Sequence, residues 1–146
     1  MLHINIICIG KLKEQYLKDA LNEYSKRLYK YCSLKIIELP DEKVPENLNA
    51  NIINKIKEIE SNNILSHIKN NSYTIALDLH GKQLSSEEFS LKIENIALNN
   101  NSNINFIIGG TLGLSDKLLK QATELISFSK MTFPHQLIRI FLLEQI

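Results

Sequence analysis

The sequence predicts an α/β fold in which a mainly parallel sheet is covered by helices on both faces. Segments typical of strands and of helices alternate five times along the chain, and this order requires parallel strands joined by crossover helices. The strand segments are short apolar runs, as expected for buried strands. The chain has 146 residues, of which 44% are hydrophobic, so we expect one domain, 1–146, with a continuous core.

The N-terminal half contains two predicted strands and two predicted helices. They are a strand over 2–9, a helix over 14–31, a strand over 34–39, a flexible loop over 41–51 and a helix over 52–68. The first strand ends at Gly10, and apolar residues at helical spacing continue the first helix as far as Tyr31. Pro40 stops the second strand. The polar run 61–63 predicts a weak point inside the second helix.

The C-terminal half continues the alternation. Its predicted elements are a strand over 73–79, a helix from 85, a polar break over 99–103, a strand over 104–108, a short helix from 115, a strand over 125–128 and a final helix from about 134. Ser85 and Glu88 have the spacing of a capping box, and Ser115 is a typical N-cap residue. Pro134 suits the first turn of the last helix. After the third strand, the chain is predicted to leave the sheet through residues 80–82.

Charge excludes a globally basic nucleic-acid binder, because the formal net charge is only +1. Lysines and one arginine nevertheless crowd the first 35 residues, among them Lys11, Lys13 and Lys18. They indicate either a solvated helix face or a patch that faces a polyanion, and both readings stay open.

Neither metal binding nor membrane insertion is predicted. The two cysteines and four histidines lack the spacing of a metal site. The apolar N-terminus has no basic leader and reaches glycine at position 10, so it is typical of a strand rather than a signal peptide. No apolar run is long enough to span a bilayer. We therefore expect a cytoplasmic protein.

A glycine turn follows the fourth predicted strand, in the order Gly109-Gly110-x-x-Gly113. This pattern differs from the dinucleotide fingerprint G-x-G-x-x-G, and it follows the fourth strand rather than the first. A P-loop is absent from the sequence, because no Gly-Lys-Ser/Thr occurs. The turn is thus either a tight packing turn that needs glycine or part of another kind of ligand site.

A second loop, Ser127 to Phe133, leaves the fifth strand and enters a helix that is apolar on nearly every side, 134–143. Two such loops at the carboxyl ends of parallel strands predict a backbone-lined pocket for a flat heterocycle. The alternative is an ordinary loop with Phe133 in the core. The helix predicts a homodimer, in which a second subunit covers its outer side, or else a helix buried within one monomer.

At these residues the chain resembles a known family. Residues 9–13, 40–47, 77–82, 107–114 (IIGGTLGL) and 127–145, which open with SFSKMTFPHQ, closely resemble the bacterial large-subunit (23S) rRNA pseudouridine-N3 methyltransferases, the RlmH family of the SPOUT superfamily. The likeness covers essentially the whole chain in order. It implies a SPOUT fold whose C-terminal part threads a deep trefoil knot.

The resemblance also implies an activity and a cofactor. It implies methylation of N3 of a pseudouridine in 23S rRNA within the assembled ribosome, with S-adenosyl-L-methionine held in the knot at a homodimer interface. Carried over position by position, the cofactor contacts would be Leu77, Gly109, Phe128, Ser129, Lys130, Met131, Thr132 and Phe133. The family normally continues past Gln145 with an aromatic-basic stretch that ends in a Tyr-His pair, whereas this sequence ends at Ile146. We therefore expect weak methyl transfer without that tail.

Catalytic candidates follow from the chemistry of the base, because N3 carries a proton that must leave. His135 and Arg139 lie one turn apart on the last helix and could contact the base or RNA phosphate. A dimer contact and a helix-surface salt bridge are the alternatives for these two. The alternative for the whole protein is a cofactor-free α/β module that binds RNA or the ribosome without catalysis.

Overall fold

Five strands and five helices alternate in the computed structural model, which describes residues 2–99, 102–110 and 112–146. The elements are β1 (Leu2–Ile9), α1 (Gln15–Leu28), β2 (Cys32–Leu39), α2 (Ala50–Leu65), β3 (Tyr73–Gln83), α3 (Ser86–Leu98), β4 (Asn103–Ile108), α4 (Asp116–Gln121), β5 (Glu124–Ser127) and α5 (His135–Gln145). The predicted polar break falls partly on Asn100 and Asn101, and the glycine turn includes Thr111. These three residues lie outside the described part of the chain.

The strands form one five-stranded sheet in the order β2-β1-β4-β3-β5, and every pairing is parallel. The predicted fold class is therefore confirmed. β1 lies between β2 and β4 and pairs with β2 along its whole length, from Leu2 opposite Cys32 to Ile9 opposite Leu39. Since all strands are parallel, their carboxyl ends meet at one edge of the sheet.

Helices cover both faces, as predicted. Side chains of β1 alternate between two apolar clusters, with Ile4 and Ile6 in one and Ile7 and Ile9 in the other. The first cluster also takes residues of α1, α3 and α5, and the second takes residues of α2 and α4. Burial of both strand faces explains why these strands are apolar throughout rather than alternating.

Two helix predictions need correction. α1 ends at Leu28, and Tyr31, predicted on its apolar face, is 76% exposed because the chain turns there into β2. The run 61–63 does not weaken α2, which is continuous from Ala50 to Leu65. Ser61 is buried, and its hydroxyl accepts a hydrogen bond from the backbone N–H of Ser115 at 3.0 Å. That polar residue therefore joins α2 to the start of α4.

The helix caps follow the sequence signals. Ser85 accepts from the backbone N–H of Glu88 while the Glu88 carboxylate accepts from the N–H of Ser85, so the predicted capping box is present. Ser115 caps α4 by accepting from the N–H of Leu118. Pro134 lies just before α5 rather than inside its first turn. Across the described residues, no helix combines the length and hydropathy needed to cross a membrane.

β3 is longer than predicted and continues to Gln83. Its first part pairs with β4 and with β5 up to Leu77, and after a shift in register Lys82 and Gln83 pair with Ile126 and Ser127. Gly81 makes this extension possible, because a Cβ there would lie 2.6 Å from the backbone nitrogen of Ile126. Residues 80–82, predicted to leave the sheet, instead run close beside β5.

Candidate functional site

A cleft with a volume of about 460 Å³ opens at the carboxyl ends of β3, β4 and β5, within the ~300–1,000 Å³ typical of small-molecule sites. Its walls come from three connections: the end of β3, the glycine turn after β4 and the loop after β5. Ligands of open α/β sheets bind at this edge. The position is the one that the sequence predicted for a backbone-lined pocket.

The glycine turn forms one wall of the cleft. The backbone N–H of Gly113 donates to the carbonyl oxygen of Gly110 at 3.1 Å, and Gly113 has φ +86°, a conformation that favours glycine. A Cβ on Gly109 would lie 3.0 Å from the side chain of Leu114, which is buried beneath the turn. Glycine at 109 therefore lets the chain pass close over Leu114 while its backbone faces the cleft.

Serine hydroxyls fix the opposite wall, the loop after β5. Ser127 donates to the carbonyl oxygen of Ser129 at 2.8 Å, and the hydroxyl of Ser129 accepts from the N–H of Met131 at 3.0 Å. Such local bonds hold a loop in a defined turn without a strand partner. Phe133 is partly exposed and packs edge-on against Phe141 of α5, with 5.7 Å between ring centroids. The alternative that places Phe133 in the core is therefore wrong.

Most of the cofactor contacts implied by the resemblance come together in this cleft. Its lining includes Leu77, Gly109, Phe128, Ser129, Met131, Thr132 and Phe133. Lys130 is exposed and does not belong to the lining. Apolar side chains of Leu114, Leu119, Ile126 and Ile138 complete the walls. Such walls suit a flat ring, and the backbone of the two loops supplies hydrogen-bonding groups for its edge.

Sequence reasoning missed three charged residues of the lining: Lys57, Asp78 and Asp116. Asp78 accepts from the backbone N–H of His80 at 3.1 Å, so it stabilises a local turn, and it also borders the cleft. Asp116 opens α4, directly after the glycine turn. Lys57 lies in the middle of α2, where no sequence pattern distinguishes it from Lys55, the other lysine of that helix.

His135 reaches the cleft from the first residue of α5 and is half-buried there. Burial lowers the pKa of its imidazole below the ordinary 6.5, and the positive charge of Arg139 lowers it further, while Asp41 acts in the opposite direction. The neutral form of the ring is therefore the major form at pH 7. A neutral imidazole can accept a proton from a group bound in the cleft.

Arg139 lies elsewhere. Its side chain is only 1% exposed and does not line the cleft. The guanidinium donates to the carbonyl oxygens of Ile9 and Gly10 at 2.8 Å each and forms an ion pair with Glu38 at 3.1 Å. A contact between Arg139 and RNA does not fit this burial. The guanidinium forms its ion pair inside the fold with Glu38, whose side chain is 32% exposed, and not with a residue on the surface of its own helix. His135 and Arg139 are neighbours, as predicted, but only His135 faces the cleft.

Within residues 2–99, 102–110 and 112–146, no group of three or more His, Cys, Asp or Glu side chains is placed to hold a metal ion.

Comparison with known proteins gives one consistent result. A family model described as "Predicted SPOUT methyltransferase" matches residues 2–146. The Ribosomal RNA large subunit methyltransferase H of Clostridium botulinum (strain 657 / Type Ba4) is 59% identical over 145 residues, which are 99% of this chain and 91% of that protein. The protein of the same name from Clostridium acetobutylicum is 57% identical, and Ribosomal RNA large subunit methyltransferase H 1 of Clostridium perfringens is 56% identical, both with the same coverage.

Proposed function

Because the chain belongs to the SPOUT methyltransferase family, we propose that it methylates ribosomal RNA of the large subunit. The observation that supports this most directly is the 56–59% identity, over 99% of the chain, to proteins named for that reaction. Following the motif resemblance, the acceptor atom is N3 of a pseudouridine in 23S rRNA within the assembled ribosome. We further propose that residues 1–146 act as one methyltransferase domain and that the protein works on ribosomes in the cytoplasm.

The proposed cofactor is S-adenosyl-L-methionine, which SPOUT methyltransferases generally use. The cleft at the ends of β3, β4 and β5 fits it in three respects. Apolar walls and loop backbone suit an adenine ring, the volume of about 460 Å³ suits a ligand of this size, and Asp78 and Asp116 complement its positive charge. A deep trefoil knot around this site is consistent with the family and stays a prediction for this chain.

When bound, the cofactor supplies an electrophilic methyl group on its sulfonium. The chain's own part is to align the acceptor base with that group and to manage one proton, since methyl transfer is an in-line displacement that depends on positioning. His135 is the best candidate for the proton, because its neutral ring lines the cleft. It would accept a hydrogen bond from the N3–H group and take that proton as the methyl group is transferred. Arg139 would act through His135 and not on the RNA.

RNA contacts would begin beside β1. Leu12 is buried, and its backbone N–H donates to Glu38. The exposed Lys11 and Lys13 are therefore held on either side of Leu12, at the same edge of the sheet as the cleft. We propose that these two lysines contact phosphates next to the target base, which orients the RNA without reading its sequence. With a formal net charge of +1, attraction to RNA in general should be weak.

We also propose a homodimer. The loop after β5 and α5 carry three exposed apolar side chains, those of Met131, Phe133 and Phe141. Exposed apolar patches of this kind mark interaction sites. The symmetric partner of such a patch is the same patch on a second subunit.

The decisive experiment joins two measurements. Calorimetric titration with S-adenosylhomocysteine tests the cofactor site. Methyl incorporation into ribosomes from a strain lacking the enzyme tests the reaction, and it is measured with a version of the chain that carries the family's C-terminal stretch. His135→Ala should lower the rate of transfer about 100-fold or more and leave binding of S-adenosylhomocysteine within a few-fold. His67→Ala is the matched control, because His67 is exposed and bonded within its own helix end.

Absence of S-adenosylhomocysteine binding in the wild-type protein would instead favour the alternative, a cofactor-free module that binds RNA or the ribosome. Equal transfer rates for His135→Ala and the wild type would remove His135 from the mechanism but would keep the methyltransferase assignment.

A further inference from the structure

The buried side chain of Arg139 links α5 to the carboxyl ends of β1 and β2. Arg139 of α5 is almost completely buried, and its three hydrogen bonds go to Ile9, Gly10 and Glu38. Burying a guanidinium is costly unless it is paired and its donors are satisfied. Within the described residues the Nε of Arg139 has no partner, so all of these hydrogen bonds come from Nη1 and Nη2.

Glu38 is the centre of this linkage. A single carboxylate oxygen, Oε2, accepts from Nη1 of Arg139 at 3.1 Å and from the backbone N–H of Leu12 at 3.0 Å. Glu38 thereby joins three parts of the chain: the end of β2, the segment after β1 and α5. The side chain of Glu38 is 32% exposed, whereas that of Arg139 is buried, so loss of Glu38 would leave a buried guanidinium charge uncompensated.

The same linkage lies directly beside the cleft. A Cβ on Gly10 would be 3.8 Å from both Nη2 of Arg139 and Nε2 of His135, so the two side chains lie together over the Gly10 backbone. Gly10 has φ +89°, and its carbonyl oxygen accepts from Arg139. The first turn of α5 is thus fixed against the end of β1. The loop 128–133, which forms a wall of the cleft, leads directly into that turn.

We propose that Glu38 is a positioning residue for the cleft: through Arg139 it holds the first turn of α5 against β1, and so fixes His135 and the loop before it. Glu38 itself does not line the cleft. The proposal extends the proposed function, but it makes a claim about His135 that can be measured without catalysis. The charged groups that face His135 are Arg139 on its own helix and Asp41 on the loop after β2.

The test compares Glu38→Gln with Lys92→Met. Gln has nearly the same shape as Glu but no charge to hold the guanidinium. Lys92 forms an ion pair with Glu124 at 2.7 Å, also between a helix and a strand, but at the opposite edge of the sheet. This control should reproduce any loss of stability that breaking an inter-element ion pair causes, without touching the cleft.

Two readouts decide the proposal, both taken well below the melting temperature. NMR titration of the His135 ring should show its pKa rising toward 6.5 in Glu38→Gln, because the loosened turn admits water and burial is the main cause of the lowered value. The charge of Arg139, no longer paired with Glu38, acts in the opposite direction and is the smaller of the two causes. Affinity for S-adenosylhomocysteine should fall about tenfold, which corresponds to about 1.4 kcal/mol. Lys92→Met should change neither.

If Glu38→Gln fails to fold, Arg139→Lys replaces it, since lysine keeps the charge but has a single nitrogen in place of the two that bind Glu38 and the carbonyl oxygens of Ile9 and Gly10. A folded variant with unchanged His135 pKa and unchanged affinity would overturn the proposal and leave the linkage a purely structural one. If the wild-type protein does not bind S-adenosylhomocysteine, the proposed function fails, and the His135 titration alone still decides the role of Glu38.

Discussion

Replacing Gly81 by alanine would force β3 and β5 apart beside the cleft. The new Cβ would lie 2.6 Å from the backbone nitrogen of Ile126 and 2.7 Å from the carbonyl carbons of Leu125 and Ile126, about 0.8 Å short of the 3.4 Å at which ordinary contact begins. The obstacle is backbone on a paired strand, so no side chain can rotate away to relieve it. One strand must move.

The expected loss of stability follows from that movement. Overpacking of this kind costs ~1–3 kcal/mol, and the pairing of Lys82 with Ile126 and of Gln83 with Ser127 would weaken as well. Alanine also has fewer conformations than glycine in the unfolded chain, and this offsets ~0.4–1 kcal/mol of the loss in stability. The net effect should be a loss of about 2 kcal/mol, or about 4–8 °C in the melting temperature of a chain of this length.

The assay is thermal or urea unfolding at one fixed protein concentration, together with titration by S-adenosylhomocysteine. Because Ser127 begins the loop that lines the cleft, affinity should fall together with stability. Gly113→Asn is the control for the unfolding measurement alone, because Gly113 lines the cleft. Gly113 needs its positive φ but has open space around its Cβ position, and asparagine tolerates such a conformation better than other residues. A Gly81→Ala protein with wild-type melting temperature and affinity would refute the steric argument.

Two further predictions concern the dimer and the pH dependence. Phe141→Asp should yield a folded monomer in sedimentation analysis at micromolar concentration, because Phe141 is 42% exposed; a persisting dimer would contradict the proposed interface. Leu142→Asp would not serve, since Leu142 is fully buried in the core and the variant should unfold. Burial of Glu60 raises the pKa of its carboxyl above 4.5, so the folded state binds more protons and stability falls as pH rises from about 4.5. Glu60→Gln keeps an acceptor for the N–H of Glu42 and should raise the free energy of unfolding at pH 7–8 by up to about 1 kcal/mol, with no gain near pH 4; equal unfolding curves at both pH values would contradict this.

The parallel sheet and most element boundaries could be predicted from the sequence because their causes are local. The apolar run 2–9 and the helical spacing after Glu14 depend on neighbours a few residues apart, as do the Ser85 and Ser115 caps. The two loops at the carboxyl ends of β4 and β5 were also predictable, because parallel strands bring such ends to one edge. Motif resemblance then supplied the family, which the whole-chain match shows.

Only the tertiary structure decided the remaining features, because each depends on a partner far along the chain. Arg139 is buried, and it pairs there with Glu38, which lies 101 residues earlier in the chain. Gly81 resembles an ordinary strand exit until the backbone of Ile126 is beside it. Lys57 lines the cleft, and α2, which carries it, is joined to the start of α4 by the bond from Ser115 to Ser61. Sequence patterns record the periodicity of a segment, whereas the burial of a charge and the close approach of two backbones are set by long-range packing.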